Sequence, residues 1–268
     1  MSDPKEPRYF DHMEGERLPT DHPYFHVQEA TIVRTREDYE ALFAGAGEAR
    51  AIGEASPSYI RDPVVPARVR RVIPRARLVA ILRDPVERAY NSWLGAKRDG
   101  MASTRTFEEA LRDEEERRPP AGHQGYVAFG RYAEQLTRWY EHFPRERLRV
   151  YLYDDLRDDP HGLLRDLFGF LEVDPGFVPD MTQRLGATGR VANPVLRVLW
   201  ERSAATRHAI RPLVPRRVRD RAYARVTRDL VKPGLREDTA AAVRERLRPE
   251  ILELQDLIGR DLSRWLEP

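Results

Sequence analysis

The apolar run Leu78–Leu82 and the eleven residues after it, Arg83 to Trp93, constrain this chain more than any other stretch. The run is short, β-branched at Val79 and Ile81, and bounded by polar residues, so it reads as a buried strand. Asp84 is then placed as an N-cap and Pro85 as the first turn of a helix. An arginine at this strand-to-helix handover suits an anion. Its guanidinium offers a bidentate fork, and the free N–H groups and dipole of the helix end favour the same negative charge.

Around this segment, β and α patterns alternate. Arg50–Ile52 reads as a strand end leading into Gly53–Pro57, and 64–73 has helical spacing stopped by Pro74. The helix after Arg83 runs to about Gly100, a C-cap residue, and Thr106-Phe107-Glu108-Glu109 is a capping-box start. That second helix passes into the charge run Asp113–Arg118, read as a solvated end without function. Residues 119–125 are a loop. Tyr132, Leu136, Trp139 and Tyr140 form the apolar face of a helix within 130–143. The run 148–153 alternates toward a strand, Asp154–Pro160 is a turn, and 163–171 reads as a buried helix. Beyond Asn193 the pattern is helical, broken at Pro212, Pro215, Pro233 and Pro249. The alternation predicts an α/β chain, a parallel sheet flanked by helices on both faces with a helical C-terminal portion. The expected organisation is one domain, 1–268, with an α/β core over 1–192.

Composition narrows the chemistry. With no cysteine, disulfides, thiolate metal sites and cysteine nucleophiles are excluded. Lys5, Lys97 and Lys232 are the only lysines among 46 basic residues, a bias read as the mark of a GC-rich genome. A net charge of +2 gives no overall electrostatic case for nucleic acid. No apolar run approaches the roughly 20 residues of a membrane span, the N-terminus lacks a signal-peptide core, and the histidines have no metal-ligand spacing. A cytoplasmic protein that needs no metal is the expectation.

Arg83-Asp84-Pro85-x-Glu87-Arg88-Ala89-x-x-x-Trp93 resembles the 3′-phosphate-binding segment of sulfotransferases that use 3′-phosphoadenosine 5′-phosphosulfate (PAPS), nearest to their carbohydrate-type and bacterial branch. The resemblance implies that Arg83 grips the 3′-phosphate. A family serine eight positions later is replaced by Asn91, with Ser92 beside it. Other segments are similar to the family in register. Gly53-Glu54-Ala55-Ser56-Pro57-Ser58-Tyr59 matches its Gly-Glu-x-Ser-Pro-x-Tyr segment, which implies that Glu54, Ser56 and Tyr59 line the acceptor side. Gly130-x-Tyr132 to Trp139, Phe143-Pro144, Asp155-Leu156 and Phe170-Leu171 continue the match. Thr188-Gly189-Arg190 corresponds to a loop over the 3′-phosphate, which makes Gly189 and Arg190 nucleotide-binding candidates.

The resemblance implies a P-loop NTPase-like sulfotransferase fold and transfer of a sulfuryl group from PAPS to a hydroxyl of a carbohydrate or small natural product. It also implies a Gly-rich, cationic loop for the 5′-phosphosulfate, and residues 1–40 contain no such loop. Instead Lys5-Glu6-Pro7-Arg8-Tyr9-Phe10-Asp11 resembles the family's Lys-Glu-Pro-His-Phe-Phe-Asp segment, which normally follows the loop and its helix. The expectation is that the first βα unit is absent and that in-frame DNA upstream of Met1 encodes it. Lys5 corresponds to a lysine close to the reaction centre and is the catalytic candidate. Glu6, Glu54 and His12 are alternatives for the base. A nucleotide kinase is disfavoured for want of a Walker-type loop. The standing alternative is a truncated, non-catalytic remnant that binds adenosine 3′,5′-bisphosphate. The acceptor and the oligomeric state are not encoded in any motif.

Overall fold

The run expected as a strand is β1, Leu78–Leu82, and it pairs in parallel with β2, Leu148–Leu152, placing Leu78 opposite Leu148 and Leu82 opposite Leu152. The structure is a computed structural model that describes residues 2, 5–13, 32–99, 102, 106–117, 125–180, 189–193, 200, 214, 218, 221 and 230–267. The chain divides into two compact units. The first comprises Met1–Asp84, Arg131–Pro179 and Glu250–Leu262; the second comprises Pro85–Gly130, Asp180–Pro249 and Ser263–Pro268.

In the first unit, Thr35 caps α1 (Arg36–Ala41) by accepting from Asp38 N at 3.1 Å. α2 (Val65–Val72) begins with Pro66 in its first turn and ends two residues before Pro74, with Ile73 as its C-cap, close to the expected stop. After the second unit's first stretch the chain returns as α5 (Tyr132–His142), which buries Tyr132, Leu136 and Trp139; Trp139 Nε1 donates to Ile60 O at 3.3 Å. β2 then leads into α6 (Tyr153–Asp158), where a turn was expected. Asp155 Oδ2 accepts from Leu152 N at 2.8 Å and caps the helix, and Arg260 braces both Asp155 oxygens at 2.8 and 3.1 Å. Asp159 accepts from Gly162 N at 2.9 Å and starts α7 (Pro160–Phe170).

Two expectations of burial are corrected here. β1 is not a buried strand: Val79 and Ile81 are 41% and 48% exposed, and only Leu82 is buried. Their partners Arg149 and Tyr151 are held by Asp166 of α7, but no described element extends over Val79 and Ile81. α7 is likewise a surface helix whose only buried residue is Leu163. An apolar run records what a strand can bury, not whether a neighbour is there to cover it. Residues Arg50–Ile52 form no strand, and Ile52 is exposed.

In the second unit, α3 (Pro85–Arg98) starts at Pro85 and buries Val86, Ala89, Tyr90, Trp93 and Leu94 along one face. The rings of Tyr90, Trp93 and Phe107 pack together, with Tyr90 and Phe107 edge to face at 5.4 Å. The capping box of α4 (Phe107–Arg117) is present: Glu109 N donates to Thr106 Oγ1 at 3.1 Å and Thr106 N to Glu109 Oε2 at 3.3 Å. The charge run on α4 is more than a solvated end. Glu114 accepts from Val127 N and Ala128 N and holds the 3-10 turn Ala128–Gly130, and Arg246 pairs with Glu115 at 2.8 Å.

Residues past Asn193 are not helical throughout. β3 (Arg190–Val191) and β4 (Leu230–Val231) pair antiparallel, and α3 packs against β3. α8 (Glu237–Ile258) contributes residues to both units and continues through Pro249 instead of breaking there. Leu247 and Ile251 on either side of it are both 2% exposed, so their burial outweighs one lost backbone bond. α9 (Ser263–Leu266) buries Trp265. The expected Gly100 cap, the loop at 119–124, Thr188 and the breaks at Pro212 and Pro215 lie outside the described residues.

Candidate functional site

Within the first unit the structure joins two segments that the sequence keeps about fifty positions apart. Residues Lys5–Asp11 and Glu54–Tyr59 are tied by hydrogen bonds from Arg8 N to Ser56 Oγ (3.2 Å, 48 positions apart) and from Phe10 N to Tyr59 Oη (3.3 Å). Arg8 is buried, and its Nε donates to Asp11 Oδ2 at 3.1 Å, an oxygen that also accepts from Ser58 Oγ. Arg68 Nη1 reaches in from α2 to Phe10 O (2.9 Å) and Asp11 O (3.0 Å). The backbone bends sharply here: Glu6 and Arg8 have φ of 60° and 55°, left-handed values that cost non-glycine residues about 1 kcal/mol or more. The side-chain and carbonyl bonds around Pro7 hold that strain in place.

Glu54 sits at the centre of this cluster. Its Oε2 accepts from Ser56 Oγ at 2.9 Å, and Tyr59 also hydrogen-bonds it. Burial pushes the Glu54 carboxyl above the usual carboxylate range; Asp11 and Glu6 add to the rise, while the two hydroxyls oppose it. Asp11 is raised by burial too, against the pull of Ser58 and Arg8. Tyr59 is held far above the ordinary phenol range by burial and by Glu54. The result is a protonatable carboxyl between two neutral donors, an arrangement able to hold or receive a proton. Of the three base candidates, Glu54 is the one whose surroundings tune it this way. His12 is buried at the end of the 3-10 turn Tyr9–Asp11, and Lys5 is exposed with no ion pair to the described residues.

Arg83 closes the first unit's strand, with its guanidinium carbon 4.7 Å from the centre of the Tyr153 ring. In the second unit, α3 buries Asn91 to 9% exposure, and neither Nδ2 nor Oδ1 has a hydrogen-bond partner. A buried amide without partners costs about 1–3 kcal/mol, so Asn91 is a position where a bound group would be stabilising. Ser92 is different: it is half-buried, and its Oγ lies 3.5 Å from Arg88 Nη1. The geometry thus separates two neighbours that the motif left equivalent. Gly189 is buried where a Cβ would lie 3.0 Å from Leu230 Cβ and Val231 O, so close passage of β4 explains the glycine; Arg190 supplies backbone to β3.

The sequence reading did not single out Ser58 or Arg68. Their only signal was position, one within the Glu54–Tyr59 segment and the other on the amphipathic α2. Among the described residues no group of acidic residues and histidines could hold a metal ion, and no helix is long and apolar enough to cross a membrane.

An arginine at a strand-to-helix handover and a carboxyl raised by burial are groups that a group-transfer enzyme uses for an anion and for a proton. The sequence profile of the sulfotransferase domain matches residues 56–194, just over half of the chain, and the chain belongs to this family. It is similar to the bifunctional heparan sulfate N-deacetylase/N-sulfotransferase 1 of Caenorhabditis elegans, with 31% identity over 123 residues, 45% of this chain and 14% of that protein. The corresponding Drosophila melanogaster enzyme shows 29% identity over 134 residues, 48% of this chain and 13% of that protein. The chain therefore spans about one seventh of the length of these relatives. A sulfotransferase structure from Alicyclobacillus acidocaldarius superimposes with a TM-score of 0.70 at 26% identity, covering 99% of this chain and 87% of that one. The fold is accordingly the α/β fold of the sulfotransferases.

Proposed function

We propose that the chain binds the 3′-phosphoadenosine end of PAPS and transfers its sulfuryl group to a hydroxyl of a glycan or small natural product. The observation that carries this is Asn91, a buried amide without partners eight positions after Arg83 in a sulfotransferase-family chain. Arg83 supplies the charged fork for the phosphate. An amide, unlike a serine hydroxyl, ends in a fixed donor and a fixed acceptor. That pair suits a phosphate oxygen beside a hydroxyl, which is what the ribose 3′-phosphate and 2′-hydroxyl present. Ser92, Gly189 and Arg190 are assigned to the same nucleotide end on the strength of the family resemblance.

On the acceptor side, Glu54 takes the hydroxyl proton while Ser56 and Tyr59 orient its carboxyl. A displacement at sulfur needs a deprotonated nucleophile and charge stabilisation at the leaving phosphate; Lys5 is the cation assigned near that charge. The relatives' printed names include heparan sulfate, which supports a glycan acceptor.

Titrating adenosine 3′,5′-bisphosphate into the full chain by calorimetry, alongside a PAPS transfer assay, tests the reading. Binding that Arg83→Ala abolishes is expected; no binding overturns the nucleotide assignment. Because residues 1–40 carry no Gly-rich cationic loop, binding without transfer supports the second reading, a non-catalytic bisphosphate-binding protein.

A further inference from the structure

Many arginines described in this chain face a carboxylate, as a near-equal count of 46 basic and 44 acidic residues allows. Arg36, Arg138, Arg157, Arg236, Arg246, Arg248 and Arg260 are examples. Four others in the first unit lie at one end of the paired strands. Arg70, Arg75, Arg145 and Arg147 have no carboxylate partner among the described residues, and all but Arg147 are exposed. Their fixed contacts are to neutral groups instead. Arg70 Nη1 donates to Pro74 O at 2.6 Å, with its guanidinium 5.9 Å from the Phe143 ring centre. Arg145 Nη1 donates to Leu257 O at 2.7 Å and lies 4.5 Å from the Tyr140 ring centre. Arg147 Nη1 donates to Arg75 O at 3.0 Å.

The topology brings these residues together. β1 and β2 run parallel with Leu78 opposite Leu148, so the segments entering each strand meet at one end of the pair. Arg75 precedes β1, Arg145 and Arg147 precede β2, and Arg70 lies in the last turn of α2. These exposed like charges repel one another and leave excess positive charge at this end of the strands. The guanidiniums of Arg70, Arg145 and Arg147 each spend one donor on a carbonyl, which restrains the group, and exposed Arg70, Arg75 and Arg145 keep N–H groups toward solvent. Forked cations gathered at one end of the strand pair fit sulfate and carboxylate groups repeated along a polymer. The acid between Arg145 and Arg147 is Glu146. The rings at hand are taken: Phe143 is 1% exposed and Tyr140 is covered by Arg145, so no ring is free to stack on a base.

We propose that this arginine cluster is a secondary binding site for an acidic polysaccharide, one carrying sulfate or carboxylate groups, that retains an extended acceptor on the enzyme. It lies at the opposite end of the strands from Arg83, and a five-residue strand separates the two ends by about 16 Å. Acceptor chains longer than a few sugars would engage it, whereas short acceptors would not. This rests on the glycan-acceptor reading given above.

The test measures binding of the full chain to a heparin oligosaccharide, as a sulfated probe, over a range of salt. Two variants are compared: the triple substitution Arg70→Ala, Arg75→Ala, Arg147→Ala, and the single Glu146→Gln. Loss of three charged hydrogen bonds weakens binding by about tenfold or more and flattens its salt dependence, while Glu146→Gln tightens it. Glu146→Gln decides the matter should the triple variant fold poorly. Unchanged heparin affinity in the variants overturns the proposal, as does tighter binding of wild type to single-stranded DNA or phosphatidylserine vesicles than to heparin. Adenosine 3′,5′-bisphosphate binding and turnover of a short acceptor are measured alongside and stay at wild-type level. Their absence in wild type would overturn the proposed function without deciding the arginine site.

Discussion

Ser56 Oγ accepts from Arg8 N at 3.2 Å and donates to Glu54 Oε2 at 2.9 Å, so one hydroxyl links the N-terminal segment to a half-buried carboxyl. Glu54 is tuned by this arrangement, and its substitution is the most direct probe of the acceptor side. Glu54→Gln keeps an acceptor for Ser56 and Tyr59 but cannot take a proton. Transfer is expected to fall by about 10²–10⁴-fold with bisphosphate affinity intact. In the wild type, the acid limb of the pH–rate profile falls above the usual glutamate range, because burial raises the carboxyl that must ionise. Retention of full activity by the variant refutes the assignment.

The same carboxyls govern stability. Glu54 and Asp11 bind protons more tightly folded than unfolded, so their contribution is complete below about pH 4 and is lost as pH rises through their elevated values. Asp155 is lowered, chiefly by Arg260, so its contribution is present above about pH 4 and is lost as pH falls through its depressed value. Denaturant titrations across pH should show Glu54→Gln flattening the first slope and Asp155→Asn the second. Because Asp155 also caps α6 at Leu152 N, Asp155→Asn costs about 1 kcal/mol near neutrality, as a partly exposed ion pair adds little more.

Asn91 sets function against stability. Asn91→Leu removes a buried amide that lacks partners and is expected to raise the melting temperature while abolishing bisphosphate binding. Asn91→Ser retains a phosphate donor but loses the fixed donor-acceptor pair. It should therefore bind 2′-deoxyadenosine 3′,5′-bisphosphate about as well as the ribose form, whereas wild type prefers the ribose. Calorimetry with the two nucleotides checks this, and equal wild-type affinities would remove the 2′-hydroxyl role.

Gly130 packs so that a Cβ would come 2.7 Å from Pro85 Cβ, at the start of α3. Gly130→Ala should destabilise the chain by about 1–3 kcal/mol, since neither the helix start nor the 3-10 turn is free to move away. A thermal melt within a degree of wild type contradicts that packing.

The residues explain which parts were legible in the sequence. Leu78–Leu82 and the Thr106–Glu109 box are local signals, a β-branched run and a reciprocal cap, and both form as expected. The exposure of Val79 and Ile81 was not legible, because cover depends on partners distant in sequence. α8 passing through Pro249 reflects burial of Leu247 and Ile251, again a tertiary effect. At the site, motif positions gave Glu54, Ser56 and Tyr59. The bond from Arg8 across 48 positions, and the isolation of Asn91 from its neighbour Ser92, emerge only in three dimensions.

The bare face of Val79 and Ile81 has a practical side. An apolar strip on a strand paired to one described neighbour is a nucleus for intermolecular strand addition, the kind of surface that chaperones hold and that clouds concentrated samples. In handling this protein, colloidal behaviour will be governed less by its near-neutral charge than by two exposed residues of one strand.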